Sequence, residues 1–367
     1  MKKITLRILL IKAVVVLFTA TVFCNPQSKP KNIIFLIGDG MGVNYVTASV
    51  LNMENDAFKR FKNIGLSVTC SADALVTDSA AGATALACGY KSYNGAISVD
   101  MDKQQLQTIM EYLQTKNYAT GIVVTCQVTH ATPACFVSHV ESRGMEFEIA
   151  EQISTSNIDI AIGGGTNFFL PEGNGGKRTD DKNIVEEMKS KGYQYIDDPE
   201  LLKSYDGSQK LLALLAPAGI ERGTDRNYTL GQMTEAALKR LSQNENGFFL
   251  MVEGSQIDWS GHANDYKYCE SEMKDFNTAV HAALDFAEKD GNTLVVVTAD
   301  HETGGLAITG GEKDRSSLEI EYVSGNHTAM MVGIYSYGPG SEKFTGIMEN
   351  NMISRHFFEF FEPKKKW

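Results

Sequence analysis

Six short apolar runs rich in Val, Ile and Phe recur along the chain: Asn32 to Ile37, Gly121 to Thr125, Ile158 to Ile162, Gly247 to Val252, Thr293 to Thr298 and Met330 to Tyr335. Runs of this length, apolar at successive positions and bounded by Gly, Asp and Asn, predict strands buried on both faces. Helical patterns lie between them. Met273, Phe276, Val280, Ala283, Leu284 and Ala287 recur at helical spacing, with Lys274, Asp275 and Asp285 on the other side. Thr234 to Leu241 and Leu106 to Leu113 read alike. Strand alternating with helix predicts an α/β chain, with a large, mostly parallel central sheet covered on both sides. The stretch Gly163 to Asn246 carries weaker signals and is expected as surface structure attached to that sheet. Its Gly163-Gly164-Gly165 reads as a tight turn rather than a phosphate loop, because no clear helix start follows.

In such sheets ligands sit beyond the carboxyl ends of the strands. The polar residues of this chain gather there. Ile33–Ile37 ends in Gly38-Asp39-Gly40, Phe248–Val252 ends in Glu253, and Leu294–Thr298 ends in Ala299-Asp300-His301-Glu302. Three strands thus deliver acids to one edge. Asp258 and His262 are four apart, so a helical turn brings both to one face. A carboxylate with an imidazole is half of a zinc site. Asp300-His301 is a second such pair, and His327 offers another imidazole just before a strand. His130-Ala131-Thr132-Pro133 follows the Gly121–Thr125 strand, with Arg143 eleven residues past Thr132. His139, His281 and His356 are expected as ordinary hydrogen-bonded residues, His356 without a suitable acid beside it. Ser79 stands at the mouth of a small-residue helix, Ala80 to Cys88, closed by Gly89. The first N–H groups of a helix lack partners inside it and attract an anion.

The formal charge is −11, and removing the four positive groups of residues 1–24 leaves −15. Such acidity argues against a nucleic-acid-binding surface. Handling an anionic substrate then needs local positive charge, which bound metal ions supply. Residues 1–24 read as an export leader: Lys2, Lys3 and Arg7, then the apolar run Ala13 to Phe23. That run is short for a membrane span. Thr21-Val22-Phe23-Cys24 approximates a lipoprotein box, apart from its bulky Phe23. Lipidation at Cys24, ordinary cleavage near Cys24 or Asn25, and a retained anchor all place the body outside the cytoplasm, in the periplasm or at the cell envelope. Past the leader there are five cysteines, Cys70, Cys88, Cys126, Cys135 and Cys269, and their spacing matches no zinc knuckle. Cys126 with Cys135 is the candidate pair closest in sequence. Cys88 is expected as a buried inert thiol. Lys364-Lys365-Lys366-Trp367 is expected as a solvated end.

Taken together and in order, the motifs resemble the alkaline phosphatase family. They are Phe35-Leu-Ile-Gly-Asp39-Gly-Met-Gly, Thr77-Asp-Ser79-Ala-Ala-Gly-Ala-Thr-Ala, Ala131-Thr132-Pro133 with Ser138-His-Val-Glu-Ser-Arg143, Phe248-Phe-Leu-Met-Val-Glu253-Gly, Thr298-Ala-Asp300-His301-Glu-Thr-Gly-Gly, and His327-Thr328. The resemblance implies a three-layer α/β/α sandwich, in one catalytic domain over residues 31–360. It implies hydrolysis of phosphate monoesters of broad specificity through a phosphoserine at Ser79, with two zinc ions and one magnesium ion. By the same resemblance Asp258, His262 and His327 hold the first zinc, and Asp39, Asp300 and His301 the second. Asp39, Thr132 and Glu253 hold magnesium, and Arg143 clamps the phosphate. A planar guanidinium can grip two phosphate oxygens at once, which Lys cannot.

Two positions depart from some members, which have Asp where this chain has His130 and Lys where it has Trp259. A neutral imidazole acts on magnesium through a water at best. Looser magnesium binding and weaker phosphate retention are therefore expected. The interval of 26 positions from His301 to His327 is short for the inserted crown of larger members. A reduced crown near 302–326 implies an open site and leaves both monomer and homodimer as options. The rival reading is a phosphodiesterase or nucleotide pyrophosphatase. Those relatives typically use a threonine nucleophile and lack the magnesium site, so Ser79, Thr132 and Glu253 argue against it.

Overall fold

The computed structural model describes residues 29–367; the expected leader at 1–24 lies outside them. Fourteen strands are found among the described residues. They are β1 Asn32–Gly38, β2 Asn63–Val68, β3 Ala119–Gln127, β4 Ile160–Gly164, β5 Tyr193–Ile196, β6 Lys210–Leu214, β7 Phe248–Gly254, β8 Thr293–Thr298, β9 Glu302–Thr303, β10 Leu306–Gly311, β11 Leu318–Tyr322, β12 His327–Thr328, β13 Val332–Tyr337 and β14 Gly346–Glu349. Ten of them form one sheet in the order β14-β2-β13-β8-β1-β7-β3-β4-β6-β5. Only β13 runs against its neighbours. This is the mostly parallel sheet expected from the apolar runs.

The unbroken apolar runs have a direct physical cause. Along β1, Ile33, Phe35 and Ile37 pack into the layer that holds the Ser79–Cys88 and Asn350–Phe361 helices. Ile34 and Leu36 face the layer of the Leu230–Leu241 and Tyr266–Asp290 helices. Both sides of the strand are dry, so no polar residue interrupts it. Phe35 meets Phe357 edge-on at 5.1 Å and Phe136 at 6.2 Å. A buried aromatic cluster of this kind anchors a layer.

The Ser79–Cys88 helix is buried along its whole length, and Gly89 closes it in the left-handed conformation at φ 76°. Its small residues are required by its neighbours. A Cβ on Gly82 would stand 2.9 Å from the Asp300 carbonyl oxygen. The helix therefore lies directly against the turn that carries Asp300 and His301.

Several expectations are corrected. The stretch Gly163–Asn246 is more than surface structure, because β5 and β6 extend the main sheet. The Met330–Tyr335 run begins as a strand only at Val332, and Met330 and Met331 are exposed. Cys126 and Cys135 do not pair. Cys126 Sγ lies 3.4 Å from Glu253, while Cys135 Sγ lies 3.3 Å from both Thr84 and the Ala80 carbonyl. Of the tail expected as solvated, Lys364 and Lys366 are exposed, but Trp367 is half-buried and packs on Phe358 at 5.3 Å and Tyr90 at 5.5 Å. His356 does have an acid beside it, Glu359 at 3.1 Å. His139 and His281 are hydrogen-bonded as expected. Cys88 is buried, and burial pushes its thiol up. No helix among the described residues is long and apolar enough to cross a membrane.

Candidate metal centre

The carboxyl ends of β1, β7 and β8 lie side by side, because β1 pairs in parallel with both neighbours. Asp39, Glu253, Asp300 and His301 thereby converge, all fully buried. His301 Nε2 stands 3.4 Å from Asp39, 3.3 Å from Asp300 and 3.2 Å from the Ser79 hydroxyl. One Asp300 oxygen accepts the Gly40 and His301 amides at 3.2 and 3.0 Å. Its other oxygen and both Asp39 oxygens are buried without a hydrogen-bond partner. Such orphaned anions are costly inside a protein unless a cation sits among them. Burial, and then the charges of Asp300, Asp258 and Glu253, push the Asp39 carboxyl well above the usual range.

A second group lies beside the first. The Gln256–His262 helix presents Asp258 and His262 on one face, with the His262 Nε2 3.4 Å from Asp258. His327, on β12, brings its Nε2 to 3.5 Å from the same carboxylate. His262 Nδ1 lies 2.8 Å from the Gly325 carbonyl, and His327 Nδ1 lies 2.9 Å from the Thr77 carbonyl. A carbonyl there fixes the ring proton on Nδ1 and leaves Nε2 as a lone pair. The two Nε2 atoms face each other at 3.2 Å. Two facing lone pairs with a carboxylate beside them suit a shared metal ion.

The third group is mixed. Cys126, His130 and Glu253 bring ligand atoms within 4.8 Å of one another. The Thr132 hydroxyl and one Glu253 oxygen are buried and unpartnered. Burial pushes the Glu253 carboxyl up to about 7, against a hydrogen bond from Ser255. His130 Nε2 lies 3.2 Å from the Arg143 guanidinium, and its Nδ1 is buried without a partner. Burial, and then the Arg143 charge, lower the imidazole to about 4. Trp259 lies edge-on to that ring at 6.4 Å.

Arg143 also reaches Asp78 at 3.1 Å. The other Asp78 oxygen accepts the Ala81 amide at 3.0 Å, capping the Ser79–Cys88 helix, and the Gly95 amide at 3.1 Å. All sequence-predicted site residues therefore gather at one edge. Three neighbours were missed. Asp78 carried the signal of a helix cap, but its reach to Arg143 depends on a distant segment. Thr303, whose hydroxyl donates to Asp258 at 2.5 Å, lay inside the Asp300 motif without a role. Cys126 was read only as a possible disulfide partner.

The family model for alkaline phosphatase matches residues 30–319. The chain belongs to the alkaline phosphatase family. Alkaline phosphatase 3 of Bacillus subtilis is 36% identical over 91% of this chain and 89% of its own. The Escherichia coli alkaline phosphatase is 33% identical over 90% and 86%. Among solved structures, the alkaline phosphatase of the Antarctic bacterium TAB5 is 38% identical with a TM-score of 0.86, covering 92% of this chain and 99% of that one. A histidine-to-aspartate mutant of that enzyme, with magnesium bound in its M3 site, is equally similar. This alkaline phosphatase is thus a hydrolase of phosphate monoesters, with the family's α/β fold and three groups of side chains that could hold a metal ion.

Proposed function

We propose that this alkaline phosphatase works through a phosphoserine at Ser79, with zinc in the two histidine–carboxylate groups and magnesium at the third. The observation that carries the reading is the pair of imidazole Nε2 atoms facing each other at 3.2 Å beside Asp258. The orphaned oxygens of Asp39 and Asp300 support the same conclusion for the second group. Asp258, His262 and His327 would hold one zinc, and Asp39, Asp300 and His301 the other. Asp39, Thr132 and Glu253 offer the oxygen donors that magnesium prefers. When bound, the ions stabilise the serine alkoxide, the charge on the leaving oxygen and the phosphate negative charge.

The chain's own residues do the rest. Ser79 Oγ forms the new bond to phosphorus while the ester P–O bond breaks and the alcohol departs. Water then displaces the serine, releasing inorganic phosphate. Arg143 holds two non-bridging oxygens with its planar fork. Asp78 orients that fork and caps the helix whose N–H groups face the anion. His130 is neutral and would act on magnesium only through water, so magnesium would bind less tightly than at an all-oxygen site. Trp259 offers no ammonium group, so product phosphate leaves more readily.

We infer one catalytic domain over 31–360. Its crown interval 302–326 is reduced to the β10–β11 hairpin, leaving the site open to broad small-molecule monoesters, in a monomer or homodimer. The chain is read as exported to the periplasm or envelope. Hydrolysis of an aryl phosphate, measured with chelator and with zinc and magnesium returned, tests the reading beside Ser79→Ala and an aryl phosphodiester. Turnover by the stripped protein or by the alanine variant at the native rate would overturn it, and faster diester cleavage would favour the rival.

A further inference from the structure

The metal groups occupy the carboxyl edge of the sheet, and the opposite edge has a different chemistry. Lys31 directly precedes β1, and Lys116 lies three residues before β3, so both stand at the amino ends of parallel strands. Lys29 joins them, with its Nζ 4.5 Å from the centre of the Phe361 ring. Lys116 and Lys365 approach the Tyr112 ring at 5.5 and 5.6 Å. Lys365 also sits over Trp367 at 5.1 Å, flanked by the exposed Lys364 and Lys366. Tyr118 meets Phe361 at 5.3 Å. Three distant segments thus bring six lysines onto one face around partly exposed Tyr118, Phe361 and Trp367. Glu362 lies among the tail lysines, and Asp290 and Asp159 stand at the same edge, accepting from Asn32 and Thr120; the six lysines outnumber these three acids. The face is basic on a chain whose formal charge is −11.

Lysines around half-buried aromatic rings are the composition of a membrane-interface contact. The path of the chain agrees. The described residues begin at Lys29, on this face, and Cys24 and the apolar run Ala13 to Phe23 come just before it. Five residues reach at most about 18 Å when fully extended. An anchor at Cys24 therefore holds this face close to the bilayer. A single acyl chain binds weakly, and a polybasic patch is the second signal that makes attachment stable.

We propose that the lysine–aromatic face at the amino edge of the sheet docks on an anionic phospholipid surface. Docking there turns the metal edge away from the bilayer and toward soluble esters. It adds to the leader and does not depend on it.

Vesicle sedimentation tests the proposal. The chain from Asn25 onward keeps every described residue and lacks the leader. It should pellet with vesicles of phosphatidylglycerol and phosphatidylcholine, stay in solution with phosphatidylcholine alone, and be released by high salt. Replacing Lys364, Lys365 and Lys366 together by Gln should weaken binding on the order of 100-fold. The pair Lys267→Gln and Lys274→Gln, on the Tyr266–Asp290 helix, should leave binding unchanged. An unchanged melting temperature and unchanged aryl phosphate hydrolysis in every variant would show that the fold is intact. Equal binding to neutral and anionic vesicles, no binding to either, or full binding by the triple variant would overturn the proposal.

Discussion

The two histidine–carboxylate groups and the mixed third group share one sheet edge, yet they are built differently. Each imidazole of the Asp258 group is held on its far side by a backbone carbonyl, Gly325 for His262 and Thr77 for His327. His130 has no such support, since its Nδ1 is unpartnered and its Nε2 meets a cationic guanidinium. The difference teaches that ligand chemistry alone does not define a site. The outer contacts decide which lone pair points inward. If the proposed metals are bound, the supported group should hold its ion more tightly than the unsupported one.

The largest expected effect breaks the comparison at its stronger side. Asp258→Ala removes the carboxylate shared by His262 and His327, and should lower kcat by roughly 1000-fold or more. Zinc content measured by plasma mass spectrometry should fall with it. A variant that keeps its full zinc load and turnover would refute the assignment of that group.

Next comes the outer support itself. Thr303→Val removes the hydroxyl that donates to Asp258 and lies 3.2 Å from His301 Nδ1. Zinc affinity in a competition titration against a chelating dye should drop about 10- to 100-fold. Arg143→Lys keeps the charge but loses the fork, and kcat/KM should fall on the order of 10-fold.

At the third group the direction reverses. His130→Asp with Trp259→Lys should tighten magnesium and inorganic phosphate binding several-fold, read as a lower magnesium requirement and stronger phosphate inhibition. An unchanged magnesium titration would remove the distinction between the groups.

The smallest effect is in the metal-free protein. The Glu253 carboxyl, raised in the fold to about 7, contributes stability that is fully present below its ordinary range near 4.5. That contribution is lost as pH rises toward 7, because folding then buries a charge. Melting of chelated protein should therefore weaken between pH 5 and 7 by about a few kcal/mol. Returning metal should flatten the profile.

Legibility followed burial. β1, β7 and β8 were plain because both faces of each strand are dry. β2 has alternating exposure, and β14 is mostly exposed at the sheet edge, so neither shows a continuous apolar run. β6, Lys210–Leu214, did carry a short apolar run, but it sat among charged segments that masked it. At the site, acids and histidines at strand ends could be read because topology alone brings strand ends together. Asp78, Thr303 and Cys126 act through contacts between distant segments, and their spacing in sequence does not record those contacts.

Asp78 has one further consequence. A single carboxylate starts the helix of the proposed nucleophile, Ser79, and grips the arginine that would hold the substrate. The proposed attacker and grip are thus mounted on a common pivot. Any change that tilts the pivot should alter affinity and turnover in concert, so selection on either property constrains the other.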